Sequence, residues 1–164
     1  MSTQMYRIFI KATPEAIWQG ITDPDTVARY GYGGRLEIDL RNGGPHRTLA
    51  TDDMKQYGMP DVVVDGEIVE VDEPRRLVQT WQAHFDPEIE AEPVGTVTWE
   101  TAPAQPMMFP DGGVTEVTVT HDLEDAPRTS SIVSGEYADA GGGWAFVLSD
   151  LKTLLETGSS LAGR

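Results

Sequence analysis

Three histidines are the side chains of this sequence best suited to acid–base chemistry, because imidazole titrates near neutral pH. His46, His84 and His121 lie far apart, and none has a His-x-x-x-His or His-Glu-x-x-His spacing, so we predict no metal and no cofactor. His121 is the one catalytic candidate, as a general base. The alternative is a histidine near the end of a strand that hydrogen-bonds a neighbouring backbone carbonyl.

Nucleophilic catalysis has little support in the sequence. The chain has no cysteine, which excludes disulfides, thiolate ligands and cysteine nucleophiles. Ser130, Ser131 and Ser134 lie in a polar segment without the Gly-x-Ser-x-Gly elbow of a hydrolase. The glycines at 141–143 lack the Lys-Ser/Thr pair of a phosphate-binding loop. These patterns favour binding over catalysis.

Aromatic residues indicate what such a site would bind. Alternate residues of a strand share a face, so Gln79 and Trp81 point the same way, as do Val119 and His121. An aromatic pocket with one histidine and one amide suits a flat, mostly apolar ligand with one or two polar groups. The alternative is that the tryptophans simply fill the core. The predicted ligand-binding residues are Tyr30, Tyr32, Gln79, Trp81, Trp99, Val119, His121, Trp144 and Leu148.

A long C-terminal helix must position these side chains. Its apolar residues recur at helical spacing and form one continuous stripe: Trp144, Val147, Leu148, Leu151, Leu154 and Leu155. A helix with its apolar residues on one side must bury them, and a sheet provides the surface for this. The sequence predicts an α+β fold in which a curved antiparallel β-sheet wraps around this helix and leaves a cavity between them.

The rest of the chain supplies that sheet. Two short helices are predicted after the first strand, one from Thr13-Pro14-Glu15 and one from Thr22-Asp23-Pro24 to about Tyr30. Strands are predicted over 5–12, 35–41, 45–51, 62–71, 77–85, 94–101 and 114–122.

Residues 102–113 form a loop, which we expect to pack on the domain's own sheet through Met107, Met108 and Phe109. A flap over the cavity or a homodimer contact are the alternatives. Within 124–143, only a turn of helix over 130–137 is suggested.

Size and charge limit the partners. The 164 residues fit one domain, 1–164, with a substantial core. Twelve Lys and Arg against 27 Asp and Glu give a net charge of -15, which disfavours nucleic acid and membrane surfaces. No signal peptide is apparent at the N-terminus and no apolar run is long enough for a membrane span, so the cytoplasm is expected.

Four segments together resemble a known family. They are 10–18 with Thr22-Asp23-Pro24, 65–81, 115–121, and the closing helix with Gly143-Trp144, Leu151-Lys152 and Leu155-Glu156. The sequence is similar to the activator of heat-shock protein 90 ATPase homologue-like family, within the START-like helix-grip superfamily. The resemblance implies a single START-like domain with an elongated cavity. It also implies the superfamily's range of functions: members bind lipids, steroids or aromatic molecules, some cyclise or hydrolyse polyketides, and co-chaperone members bind a chaperone.

The resulting hypothesis is a cytoplasmic START-like domain that holds a small hydrophobic or aromatic molecule between sheet and C-terminal helix. One alternative is a polyketide cyclase- or hydrolase-like enzyme with His121 as general base. The other is a regulator of a chaperone ATPase. Fold alone does not choose among them.

Overall fold

A seven-stranded antiparallel sheet forms the body of the molecule in the computed structural model, which describes residues 3–137 and 140–164. The spatial order of the strands is β1-β7-β6-β5-β4-β3-β2, so β1 and β2 are the two edges. Their bounds are β1 Thr3–Ile10, β2 Arg35–Ile38, β3 Pro45–Leu49, β4 Val62–Asp72, β5 Arg76–Ala83, β6 Gly95–Pro103 and β7 Thr115–Asp122. All seven predicted strands are confirmed, with ends that shift by up to three residues.

Six helices of the described residues accompany the sheet: α1 Pro14–Thr22, α2 Pro24–Val27, α3 Asp52–Gln56, α4 Pro87–Glu90, α5 Pro127–Val133 and α6 Gly143–Thr157. The two predicted early helices begin as their sequences indicate. The Thr13 hydroxyl accepts from Ala16 N at 3.1 Å, and the Asp23 carboxylate accepts from Thr26 N at 3.0 Å.

Helix α6 packs its apolar stripe against the inner face of the sheet. Trp144, Leu148, Leu151 and Leu154 are buried, whereas Val147 and Leu155 are partly buried. The inward strand positions are those that alternation predicts, since Leu77, Val97, Val117 and Val119 join the same core. The predicted helix over a sheet is therefore confirmed.

Four segments differ from expectation. Helices α3 and α4 were not predicted, because four or five residues are too few to show helical periodicity. Helix α5 begins at Pro127, three residues before the predicted turn. The loop over 102–113 does not pack down as a unit: Met107 and Met108 are exposed, whereas Phe109 covers the sheet, with its ring centroid 5.5 Å from that of Phe9. Phe9 lies on the outer face of the sheet, so Phe109 packs on that face and not in the hydrophobic core.

The helices of the described residues include none with the length and apolarity that a membrane crossing needs.

Candidate ligand-binding pocket

A pocket of about 130 Å³ opens on the inner face of the sheet, away from edge strand β1. It lies between the strands β2 to β6 and the residues Tyr30 and Trp144. Its lining residues are Ile21, Val27, Tyr30, Leu36, Ile38, His46, Thr48, Val64, Gln79, Trp81, Trp99 and Trp144. Five of the nine predicted site residues are in this set: Tyr30, Gln79, Trp81, Trp99 and Trp144.

Three indoles form one wall of the pocket. Trp99 on β6 and Trp144 on α6 meet edge to face, with ring centroids 5.6 Å apart and an interplanar angle of 80°. Trp81 on β5 makes a similar contact, at 4.9 Å, with the imidazole of His121. Edge-to-face packing fixes the rings relative to one another, so this wall is rigid.

His121 stands behind that wall and does not line the pocket. It is fully buried, and its Nδ1 accepts a hydrogen bond from Trp144 Nε1 at 3.0 Å. Because Nδ1 accepts, the proton of the neutral ring is on Nε2, which has no partner among the described residues. Burial lowers the pKa of His121 to about 4. His121 therefore orients an indole of the pocket, and the expected bond to a backbone carbonyl is replaced by one to a side chain.

Three further predicted residues lie elsewhere. Val119 and Leu148 are packed in the core beneath the helix. Tyr32 lies on a separate surface groove of about 470 Å³ together with Arg35 and Arg164. Its hydroxyl donates to Ala140 O at 2.9 Å and accepts from Gly143 N at 3.1 Å. Tyr32 thus ties down the start of α6 and does not close the pocket.

Tyr30 does lie at the pocket and is anchored by its own hydrogen bond. The phenol donates to Gly20 O at 2.9 Å, and burial, assisted by the negative charge of Asp150, raises its pKa. Asp150 is itself fully buried on α6, where its carboxylate accepts from Gly31 N at 2.8 Å and Leu161 N at 2.6 Å. The turn that carries Tyr30 is therefore held to α6 through the adjacent glycine.

His46, on β3, is the histidine that reaches the pocket. It is buried, and its Nε2 lies 2.6 Å from Thr80 O on β5, two strands away. The imidazole crosses β4 at Gly66, the residue that pairs with His46. A Cβ on Gly66 would lie 2.5 Å from the His46 Nε2 and 1.9 Å from Thr80 O. Glycine at this position is what allows the ring to span three strands.

The remaining polar groups of the pocket are Gln79 and Thr48. Within the described residues neither side chain makes a hydrogen bond to the protein. Burial lowers the pKa of His46, although its bond to Thr80 O and the charge of Asp65 act in the opposite direction. The described lining contains no lysine or arginine. Its polar groups are therefore neutral at neutral pH.

Sequence reasoning missed the β2–β4 part of the lining, including His46, Thr48, Leu36 and Ile38. The spacing of the histidines bears only on metal ligation, and it gives no reason to place His46 at a pocket. The alternation of His46 and Thr48 along β3 could have placed both on one face, as Leu36 and Ile38 are on β2. The described residues contain no group of three or more His, Asp or Glu side chains that could hold a metal ion.

The curled antiparallel sheet with its long C-terminal helix is a helix-grip, START-like fold. A family model narrows the class, because the Activator of Hsp90 ATPase homolog 1-like protein family matches residues 11–156. The chain belongs to that family. No curated protein sequence matches it.

Solved structures of several proteins are similar in fold. The chain matches NE0264 from Nitrosomonas europaea at 19% identity with a TM-score of 0.67, over 96% of each chain. It matches CalU16 from Micromonospora echinospora at 20% identity with a TM-score of 0.64, over 97% of this chain and 68% of that one. It matches PFC0360w, an HSP90 activator from Plasmodium falciparum, at 23% identity with a TM-score of 0.57, over 99% of this chain and 92% of that one. At these identities the likeness shows the fold alone.

Proposed function

We propose that this protein binds a small, mostly apolar aromatic molecule in the pocket between the sheet and the start of α6. The observation that supports this most is the convergence of three indoles on a space that the inward residues of β2 to β4 do not fill. Leu36, Ile38 and Val64 point into it and remain partly exposed. Apolar side chains at a concave site with a few polar groups are the usual setting for a small-molecule ligand.

The volume limits the ligand. A cavity of roughly 150 Å³ lined by apolar residues holds one benzene molecule. The pocket of about 130 Å³ is close to that size. A single aromatic ring is therefore the unit that fits it, and the larger ligands of the superfamily would need the pocket to widen.

A matched pair of variants tests the binding site. Val64 lies in the pocket on β4, whereas Val69, on the same strand, is exposed. Val64→Phe should fill the pocket and abolish binding of toluene, while Val69→Phe should leave binding unchanged. Ligand-observed NMR with toluene measures both. Failure of the wild-type protein to bind toluene or any ring in a panel, with native mass spectrometry of fresh protein also empty, would sink the proposal.

Chaperone regulation is the second candidate, and the family match supports it, since one structural neighbour carries the name of an HSP90 activator. Met107 and Met108 form an exposed apolar pair that would suit a protein contact. The measurement is the ATPase rate of the host's heat-shock protein 90 with increasing amounts of this protein. An unchanged rate at large molar excess would rule this function out. A stimulation that Met107→Ser with Met108→Ser removes would support it.

The enzymatic alternative that relied on His121 finds little support in the geometry. A general base must reach the proton that it removes, and His121 is fully buried behind Trp81 and Trp144. Its pKa of about 4 also makes it a weak base. Its contacts favour a positioning role.

A further inference from the structure

His46, in the pocket lining, forms a hydrogen bond to the protein through only one of its two ring nitrogens. Thr80 O can only accept, so the His46 nitrogen 2.6 Å from it, Nε2, carries the proton. The other nitrogen, Nδ1, is then a bare acceptor. It has no partner among the described residues and is not enclosed by the protein, since the fully enclosed side-chain nitrogen without a partner is His121 Nε2.

Gln79 supplies complementary groups in the same pocket. Its amide has two N–H donors and one oxygen acceptor, none of them bonded to a described residue. It projects from the inner face of β5, where it pairs with Ile68 on β4. A bare acceptor and an amide donor in one small pocket match an atom that both donates and accepts.

We propose that the pocket selects a neutral single-ring aromatic molecule carrying one hydroxyl group, a simple phenol. The hydroxyl donates to His46 Nδ1 and accepts from Gln79 Nε2, while the ring lies against the indoles of Trp81, Trp99 and Trp144. This assignment rests on the proposed binding function and adds the chemical group that the site recognises.

Charge supports the neutral form of the ligand. No lysine or arginine is among the described residues that line the pocket, and the chain carries a net charge of -15. An anion such as benzoate would lose its hydration without gaining a charged partner, which is costly. A neutral ring without a donor, such as anisole, would displace water from Nδ1 without giving it a new hydrogen bond. Phenol avoids both costs.

The experiment compares phenol, anisole, toluene and benzoate, each titrated into the full chain by ligand-observed NMR. We expect phenol to bind about tenfold more tightly than anisole, since the one added hydrogen bond contributes about that factor, and to exceed toluene, which makes neither bond, by more. Benzoate should bind most weakly. Equal affinities for phenol, anisole and toluene would overturn the assignment while leaving the binding function intact. Binding of none of the four would instead count against the proposed function itself.

Two further measurements identify the groups involved. In ¹⁵N spectra, the Nδ1 resonance of His46 should move on addition of phenol and stay in place with anisole; a static Nδ1 signal in both would exclude His46. Gln79→Met should reduce the preference for phenol over toluene several-fold, because toluene has no oxygen to accept from the amide. The matched control is Gln19→Met, at an exposed position of α1 outside the pocket, which should not change it. An unaltered preference in Gln79→Met would remove Gln79 from the site.

Discussion

One sheet supports two regions that differ in how completely they are packed. In the closed half, β1, β6 and β7 lie under α1 and α6, and the inward residues Val97, Val117 and Val119 are fully buried. In the open half, the short α2 lies beside β2, and Leu36, Ile38 and Val64 stay partly exposed. The long helix is not broad enough to cover seven strands. The pocket is the space that it leaves.

Polar groups differ between the halves in the same way. The closed half contains Asp150, whose two oxygens each accept a backbone N–H, and His121, whose Nδ1 is paired with an indole while its enclosed Nε2 has no partner among the described residues. In the open half, His46 Nδ1 and the Gln79 amide have no partner among the described residues. His46 and Gln79 line the pocket, where a ligand can reach them, whereas His121 Nε2 is enclosed behind the indoles.

The largest effect should come from Asp150, which joins α6 to the turn that leads into the open half. Asp150→Leu leaves the buried Gly31 N and the partly buried Leu161 N without an acceptor, and an unpaired buried N–H costs about 1–3 kcal/mol. We expect the free energy of unfolding to fall by about 4 kcal/mol in total. Urea denaturation measures it. A loss below about 1 kcal/mol would mean that the two halves are not joined through this carboxylate.

Acid should weaken the closed half through His121. Its pKa is about 4 in the folded protein, below the ordinary value near 6.5 of the unfolded chain. The neutral ring is therefore favoured by folding. Its stabilisation is complete above about pH 6.5 and is lost as the pH falls towards 4, by about 3 kcal/mol at most.

His121→Asn isolates that contribution, because an amide can accept from Trp144 Nε1 but does not titrate. Urea denaturation at pH 7 and pH 4.5 should show a smaller acid loss in this variant than in the wild type. The same pH dependence in both proteins would contradict the prediction and place the acid sensitivity in other groups.

The smallest effect comes from two valines that differ only in the half they occupy. Val119→Ala removes methyl groups from a fully packed site and should lower the free energy of unfolding by about 2 kcal/mol. Val64→Ala merely enlarges a space that already exists and should cost under about 1 kcal/mol. Equal losses in urea denaturation would show that the open half is packed as tightly as the closed one.

Much of the fold follows from local patterns. The alternation of Leu77, Gln79 and Trp81 along β5 predicts that their side chains share the inner face of the sheet. The spacing of Trp144, Leu148 and Leu151 similarly predicts α6 and its buried side. The residues of the candidate site were harder to predict from the sequence. Tyr30, Trp81 and Trp99 were predicted to line a pocket, and they line this one. Tyr32 and His121 were also expected there, but Tyr32 lies on a separate groove and His121 lies behind the indoles.

Which side chains face inward can be predicted from the sequence, because strand alternation and helical spacing are properties of neighbouring residues. Which histidine lines the pocket depends on the packing of distant segments. His46 reaches it because Gly66, twenty residues further along, lets the ring pass over β4 to Thr80. His121 is shut behind two indoles that come from β5 and α6. Both outcomes depend on how distant strands and a helix are placed side by side, which no local period in the sequence specifies.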